Sequence, residues 1–278
     1  MKILKNKTAA VTGAASGMGR MLAVRLADEG CHLALADMNE PSLQETVALV
    51  RGRVRVTTHI LDVARREQVF AFADEAVARH GGVDLIINNA GVALGDLLDG
   101  VPLSDFEWIM GINFWGVVYG TMAFLPHLKK RQEGHIVNVS SIYGILPMSN
   151  TGCYCASKFA VRGYTETLAQ EMHGTSIRVS CVYPGGIRTN IARNARFNRT
   201  MFDLSREKAQ GIYEERLFRT TADDAAKRII SGIRHNKIRI LVGSASTTMD
   251  VLMRLMPATT SILTGVVSRR VAKSYADR

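Results

Sequence analysis

Cysteine is scarce in this chain: four thiols, at 31, 153, 155 and 181, in 278 residues. No C-x-x-C pair occurs and no histidine stands at a spacing that would complete a zinc site. That excludes a disulfide framework and a metal-built module. The cysteines read as reduced, mostly buried small residues of a cytoplasmic protein. The N-terminal stretch MKILKNKTAAVTG lacks a long apolar run followed by a small-residue cleavage site, so secretion is not expected. The apolar runs near the C-terminus are broken by Arg254, Pro257 and Gly265, none approaches the ~18 to 20 residues of a spanning helix, and no transmembrane segment is expected. Low-complexity linkers and internal repeats are also missing, and the expectation is one domain over residues 1–278.

What is present is globular in character: 47% hydrophobic and 22% charged residues, without the signature of disorder. Lys and Arg outnumber Asp and Glu by 35 to 25, a net charge of +10. That excess suits nucleic acid, anionic lipid or an anionic substrate if clustered, and a soluble basic surface if it is not. Short apolar runs alternate with helical patterns. Seven candidate strands are TAAVT (8–12), HLALA (32–36), VRVTTHI (54–60), DLIIN (84–88), HIVNVS (135–140), IRVSCVY (177–183) and IRILV (238–242). Segments 19–30 and 66–81 repeat apolar residues at helical spacing and end in glycine. Strand and helix in alternation predict an α/β fold, a doubly wound parallel seven-stranded sheet with helices on both faces. The alternation lapses at about 189–221 and after 243.

TGAASGMG, residues 12–19, falls where the first strand gives way to the first helix. Gly13 permits a tight turn, Gly17 a close approach of backbone to a pyrophosphate, and Gly19 close helix packing, with the helix N-terminus facing the phosphates. Asp37, at the end of the second strand, is placed to accept from ribose hydroxyls or, more plainly, to hold a turn. Further on, GCYCASK sets Tyr154 and Lys158 four apart, on one face of a helix. That spacing permits proton chemistry and also arises by chance.

T-G-x-x-x-G-x-G at 12–19, N-N-A-G at 88–91, a serine ahead of Tyr-x-x-x-Lys, and P-G at 184–185 followed by Thr189 together resemble the short-chain dehydrogenase/reductase family, from about residue 6 to 242. The resemblance implies hydride transfer between a nicotinamide and an alcohol or ketone, with Asn113, Ser141, Tyr154 and Lys158 as the catalytic tetrad. Tyr154 is then the general acid/base, Lys158 stabilises its phenolate, Ser141 bonds the substrate oxygen, and Asn113 kinks a helix and holds a relay water. Ser140 reads as a strand residue. The cofactor set so implied is Gly13, Ser16, Gly17, Met18, Gly19 and Asp37, then Asp62 and Val63 at the adenine, and Asn89, Ala90 and Gly91 along the ribose. Tyr154 and Lys158 join it, as do Pro184, Gly185, Ile187 and Thr189 at the nicotinamide. No metal is expected. The Asp37 carboxylate, with Met38 and Ser16 where NADP-using relatives tend to carry a base, favours NAD(H) over NADP(H). His32, His59, His135 and His173 match no role, and Cys153 and Cys155 read as packing residues.

The loop at 143–152 offers Ile145, Leu146 and Met148 to a substrate pocket, which suggests an apolar or medium-sized substrate: diketone-like, steroid-like or acyl-type. Residues 189–221 fall where the family carries its variable lid, and Arg188, Arg193, Arg196 and Arg199 form there a run without a carboxylate, read as a solvated basic surface rather than an anion site. The extension at about 243–278 is expected to pack within or between subunits, with contact to an anionic membrane surface not favoured. A homodimer or homotetramer, through helices near 102–130 and 152–172, and no nucleic acid, complete the expected partners. The competing reading is a nucleotide-sensing binding protein that uses its basic surface on nucleic acid or membrane; an intact tetrad argues against it.

Overall fold

The computed structural model describes residues 1–191, 193–198 and 220–276. Arg199 and most of the lid stretch therefore lie outside the described residues. All seven strands form, each within two residues of its sequence-read bounds at either end: β1 (Thr8–Thr12), β2 (His32–Asp37), β3 (Val56–Ile60), β4 (Leu85–Asn88), β5 (Gly134–Val139), β6 (Ile177–Pro184) and β7 (Arg239–Val242). They build one parallel sheet in the order β7-β6-β5-β4-β1-β2-β3. The chain winds outward from β1 to β3, then returns to the other side of β1 with β4. This reversal opens a crevice at the carboxyl ends of β1 and β4.

Successive strand residues serve opposite faces. Val11, Leu35 and Ile87 join a core with Leu22 and Leu26 of α1 (Gly17–Asp28), Leu43 of α2 (Glu40–Val50) and, far along the chain, Ile229 and Ile233 of α7 (Ala222–Arg234). Ala10, Ala34 and Ile86 face Phe72 of α3 (Arg66–His80), Phe124 of α5 (Gly116–Leu128) and Leu168 of α6 (Gly152–Glu171). Phe72 and Phe124 meet edge to face, ring centroids 5.3 Å apart. Each fully buried side chain of this size contributes on the order of 2 to 3 kcal/mol, so both layers are needed to hold the sheet. Helix ends follow local chemistry. Asn39 accepts from the Ser42 amide at the start of α2, Thr221 from the Asp224 amide at the start of α7, and Gly81 closes α3 at φ +74°.

Two departures from regularity shape the site. The predicted helix near 102–130 is three pieces: α4 (Leu103–Met110), one π turn (Gly111–Trp115) and α5. Among the described residues this stretch, Leu103–Leu128, is the one helix long and apolar enough to cross a membrane, and half of its most apolar window is buried within the fold. Beyond β7 the chain forms α8 (Ser244–Leu255) and α9 (Pro257–Ala276). Asp250 ties α8 down: it accepts from Arg239 at 2.5 Å and from Arg254 at 3.1 Å. The Arg239 guanidinium also lies 4.6 Å from the Tyr183 ring centroid and pairs with Glu166 of α6, to which the Tyr183 hydroxyl donates at 2.8 Å.

Candidate active site

The glycine turn adopts the geometry its sequence requires. Gly13 and Gly17 sit at φ +67° and +51°, where a side chain is strained, and a Cβ on Gly19 would run into the Gly13 carbonyl. The loop after β4 is strapped to this turn. Asn89 Nδ2 donates to the Thr12 carbonyl at 2.9 Å, while Thr12 Oγ accepts from the Asn89 and Ala90 amides at 3.0 and 3.1 Å. Helix α1 begins with no side-chain cap and no carboxylate in its first turn, so its amides remain available to an anion.

Asp37 holds the turn and also lines the cleft. Its carboxylate accepts from the Ala15 amide at 2.9 Å and the Asn39 amide at 3.0 Å, which fixes it at the rim of a cleft of about 410 Å³. Gly13, Ser16, Gly17, Met18, Gly19 and Asp37 line this cleft, as do Asp62, Val63, Asn89, Ala90, Gly91 and Thr189. Asp62 itself accepts from the Ala64 amide at 2.9 Å. Arg20, the basic residue that directly follows the glycine turn, is committed elsewhere: it donates to the carbonyls of Ala15 and Ser42 and pairs with Glu45 at 2.7 Å.

The cleft continues, past Met18, Asn89, Gly91 and Thr189, into a second cavity of about 270 Å³. Ser141, Tyr154 and Lys158 line it, together with Pro184, Gly185 and Ile187. Ser141 follows β5 and caps a single 3-10 turn, Ile142–Gly144, accepting from the Tyr143 amide at 3.1 Å. Ser140 is more than a strand residue, since its hydroxyl donates to the Lys158 carbonyl at 2.8 Å and so pins α6 to β5. One turn apart on α6, Lys158 Nζ lies 5.7 Å from the Tyr154 ring centroid and donates to the Val139 carbonyl at 3.0 Å. Burial pulls the Lys158 ammonium down from 10.5 to about 8. It pushes the Tyr154 phenol up to about 12, against a hydrogen bond with Ser141 that acts the other way.

Asn113 lies at the centre of the π turn, fully buried, and its side chain does not reach the cavity. Its Oδ1 accepts from the Val92 amide at 2.8 Å, and its Nδ2 donates to the Val92 carbonyl at 3.0 Å and to Ser157 Oγ at 3.1 Å. A Cβ on Gly91 would stand 3.1 Å from Asn113 Oδ1 and 3.4 Å from Lys158 Nζ. Ser141, Tyr154 and Lys158 thus stand at the cavity wall, and Asn113 lies behind it, across Gly91 from Lys158.

The pocket corrects the loop reading in part. Leu146 and Met148 line it, but Ile145 turns away and packs on Cys181 and Tyr183. Leu94, Ile142, Tyr143, Phe197, Met249 and Thr264 also line it, and sequence reading missed them. Phe197 arrives through a two-residue pairing of Leu94–Gly95 with Arg196–Phe197. The arginine run is partly neutralised: Arg196 pairs with Asp105 at 2.8 Å and stacks 3.7 Å from the Trp108 ring centroid. His135 is a core histidine bonded to Ser180 at 2.8 Å, held neutral by burial, and His173 is exposed. All four cysteines are unpaired and buried. Among the described residues no group of His, Cys, Asp or Glu is placed to hold a metal.

The donor set fits a dinucleotide. Uncapped amides face a glycine cradle that side chains would fill, a carboxylate is oriented at the far end, and the buried Asn89 Oδ1 has no partner within the protein. Comparison with known proteins points the same way. A family model described as short chain dehydrogenase matches residues 7–200. The Mycobacterium tuberculosis oxidoreductase SadH is 42% identical over 260 residues, 92% of this chain and 93% of that protein. A short-chain dehydrogenase/reductase from Burkholderia phymatum, solved in complex with NAD, superposes with a TM-score of 0.83 at 31% identity, over 92% of this chain and 95% of its own. An NAD-bound short-chain dehydrogenase from Mycobacterium paratuberculosis gives 0.77 at 28% identity, over 88% and 99%.

Proposed function

This chain belongs to the short-chain dehydrogenase family, an oxidoreductase family, and on that footing we propose that it interconverts a secondary alcohol and its ketone with NAD(H). The observation that carries the proposal is the convergence of Ser141, Tyr154 and Lys158 at one end of a cleft whose other end is the glycine turn and Asp37. A nicotinamide dinucleotide held by the cofactor set supplies the hydride donor or acceptor. The protein's residues manage the proton. Tyr154 gives its phenolic proton to the carbonyl oxygen in reduction and takes the hydroxyl proton in oxidation. Ser141 accepts from the Tyr143 amide, and its hydroxyl proton, directed at Tyr154 in this structure, turns to the substrate oxygen. Lys158, still largely cationic at neutral pH, stabilises the phenolate that the buried site alone disfavours. Asn113 is a positioning residue: through Val92 and Ser157 it fixes the loop and the helix that carry the others.

Leu94, Ile142, Leu146, Met148, Phe197 and Met249 make the substrate pocket apolar, which supports an apolar or medium-sized substrate. NAD(H) is preferred over NADP(H), because Asp37 repels a 2′-phosphate and Arg20 is already paired. Exposed Trp115, Met122 and Phe159, on neighbouring helices, support a homodimer or homotetramer, and four unpaired cysteines support a reducing cytoplasm. A substrate panel followed by NADH absorbance tests the reading on wild type and Tyr154→Phe. Turnover should fall by about 10²-fold or more with NADH binding retained. Substantial activity in that variant would overturn the mechanism.

A further inference from the structure

Helix α9 is mounted inside out. A helix packed on a soluble protein turns its apolar stripe inward, whereas α9 presents Thr260, Thr264 and Ser268 to the protein. Their hydroxyls are met locally: Thr260 donates to the Leu252 carbonyl at 3.3 Å, Thr264 to that of Ser261 at 3.0 Å, and Ser268 to Thr264 at 2.8 Å. The outward face carries Ile262 and Val267, 67% and 57% exposed, with Leu263 and Val266 beside them. Leu255 and Met256, just ahead of the helix, are exposed too. In the second half of α9 the exposed residues include Arg269, Arg270 and Lys273 beside Ser274, and no carboxylate occurs anywhere from 251 to 276.

We infer that the outer face of α9, with the end of α8, lies on an anionic lipid bilayer. Apolar side chains entering the acyl boundary beside lysines and arginines at the headgroups is the arrangement of an interfacial helix. Charge separates this occupant from a second copy of the chain. A second copy of the same face would bring the same three bases and, within residues 251–276, no carboxylate to pair with them. The sequence pattern alone favoured packing for this segment. The inner face does pack, and it is the outward placement of the apolar residues that changes the reading.

Position gives the docking a use. Thr264 lines the apolar cavity, and Ser268 Oγ lies 3.0 Å from Sδ of Met148, another lining residue. One helix is therefore both a pocket wall and the proposed bilayer-facing surface, so an apolar alcohol or ketone can be drawn from the lipid phase. That last step rests on the function proposed above; the docking itself does not.

The test is co-sedimentation of the full chain with vesicles of phosphatidylcholine alone or mixed with phosphatidylglycerol, with NADH binding measured alongside to establish that each protein is folded. Wild type should bind the mixed vesicles, bind pure phosphatidylcholine far less, and release in high salt. Arg269→Gln/Arg270→Gln should weaken binding roughly thirtyfold, and Val266→Ser/Val267→Ser should weaken it as well. Equal binding to both vesicle types, no binding, or folded variants that bind like wild type would overturn the inference. So would a fall in solution mass on Val266→Ser/Val267→Ser with vesicle binding unchanged, which would assign the face to a second copy. The wild-type lipid contrast decides even if a variant does not fold.

Discussion

Replacing Lys158 with methionine should make the cofactor-free protein more stable while disabling it. The Lys158 ammonium is 3% exposed, and burial lowers its pKa from 10.5 to about 8. A shift of that size corresponds to about 3 kcal/mol of penalty on the charged form, since each unit is about 1.4 kcal/mol. The sign follows from where the proton sits. Below pH 8 both folded and unfolded chains carry the charge, so the folded state bears the whole penalty. From about pH 8 to 10.5 the folded protein has released a proton that the unfolded chain still holds, and stability climbs with pH. Methionine removes the penalty but leaves the Val139 carbonyl without this donor, which costs about 1 to 2 kcal/mol. A net gain of about 1 to 2 kcal/mol at pH 7 remains, and the climb above pH 8 should flatten. Urea unfolding of both proteins at pH 7 and pH 9.5 measures each quantity. A Lys158→Met protein less stable than wild type at pH 7, with the same dependence on pH, would refute the claim that a buried ammonium is held there against its solvation.

Two further outcomes bear on the cofactor end. Gly19→Ala should abolish NADH binding, because the added Cβ meets the Gly13 carbonyl and the turn must open; fluorescence titration within about twofold of wild type would show that the turn tolerates it. Asp37→Ala should improve NADP(H) binding more than tenfold and loosen the turn it bonds at Ala15. Repulsion between unit charges ~4 Å apart at an effective dielectric of 20 is about 4 kcal/mol, and half of that suffices. Unchanged selectivity in titrations of both cofactors would mean that Asp37 holds the turn and nothing more.

The parts of this molecule legible in its sequence are those in which a local rule and the global fold agree. Strands such as TAAVT and LIIN are buried along their whole length because helices cover both faces, so their continuous apolar runs announce themselves. The glycine turn and Tyr154 with Lys158 are short-range constellations, and the backbone that connects them is enough to bring their members together. Asn113 was legible as a position but not as a contact. Its partners Val92 and Ser157 lie 21 and 44 residues away, and no spacing rule announces which backbone a buried amide will bond.

The pocket was illegible for the same reason, carried further. Leu94, Tyr143, Phe197, Met249 and Thr264 come from five separate segments, and each alone is an unremarkable apolar or hydroxyl residue. Ile145 shows the converse: it stands between Tyr143 and Leu146, both in the pocket, yet it faces Cys181 and Tyr183. Composition of a loop therefore says that something apolar will be covered, not which residues do the covering. The C-terminal helices sharpen the point, because helical periodicity reports which residues share a face and is silent on which way that face turns. Here the anchors decide. Asp250 on Arg239, and through it Glu166 and Tyr183, clamps α8 to the helix that carries Tyr154 and Lys158. With α8 so fixed, the hydroxyl face of α9 meets the protein and Ile262, Leu263, Val266 and Val267 are left outside. A partly buried ion-pair network that seats α8 thus helps set which face of the tail is left exposed.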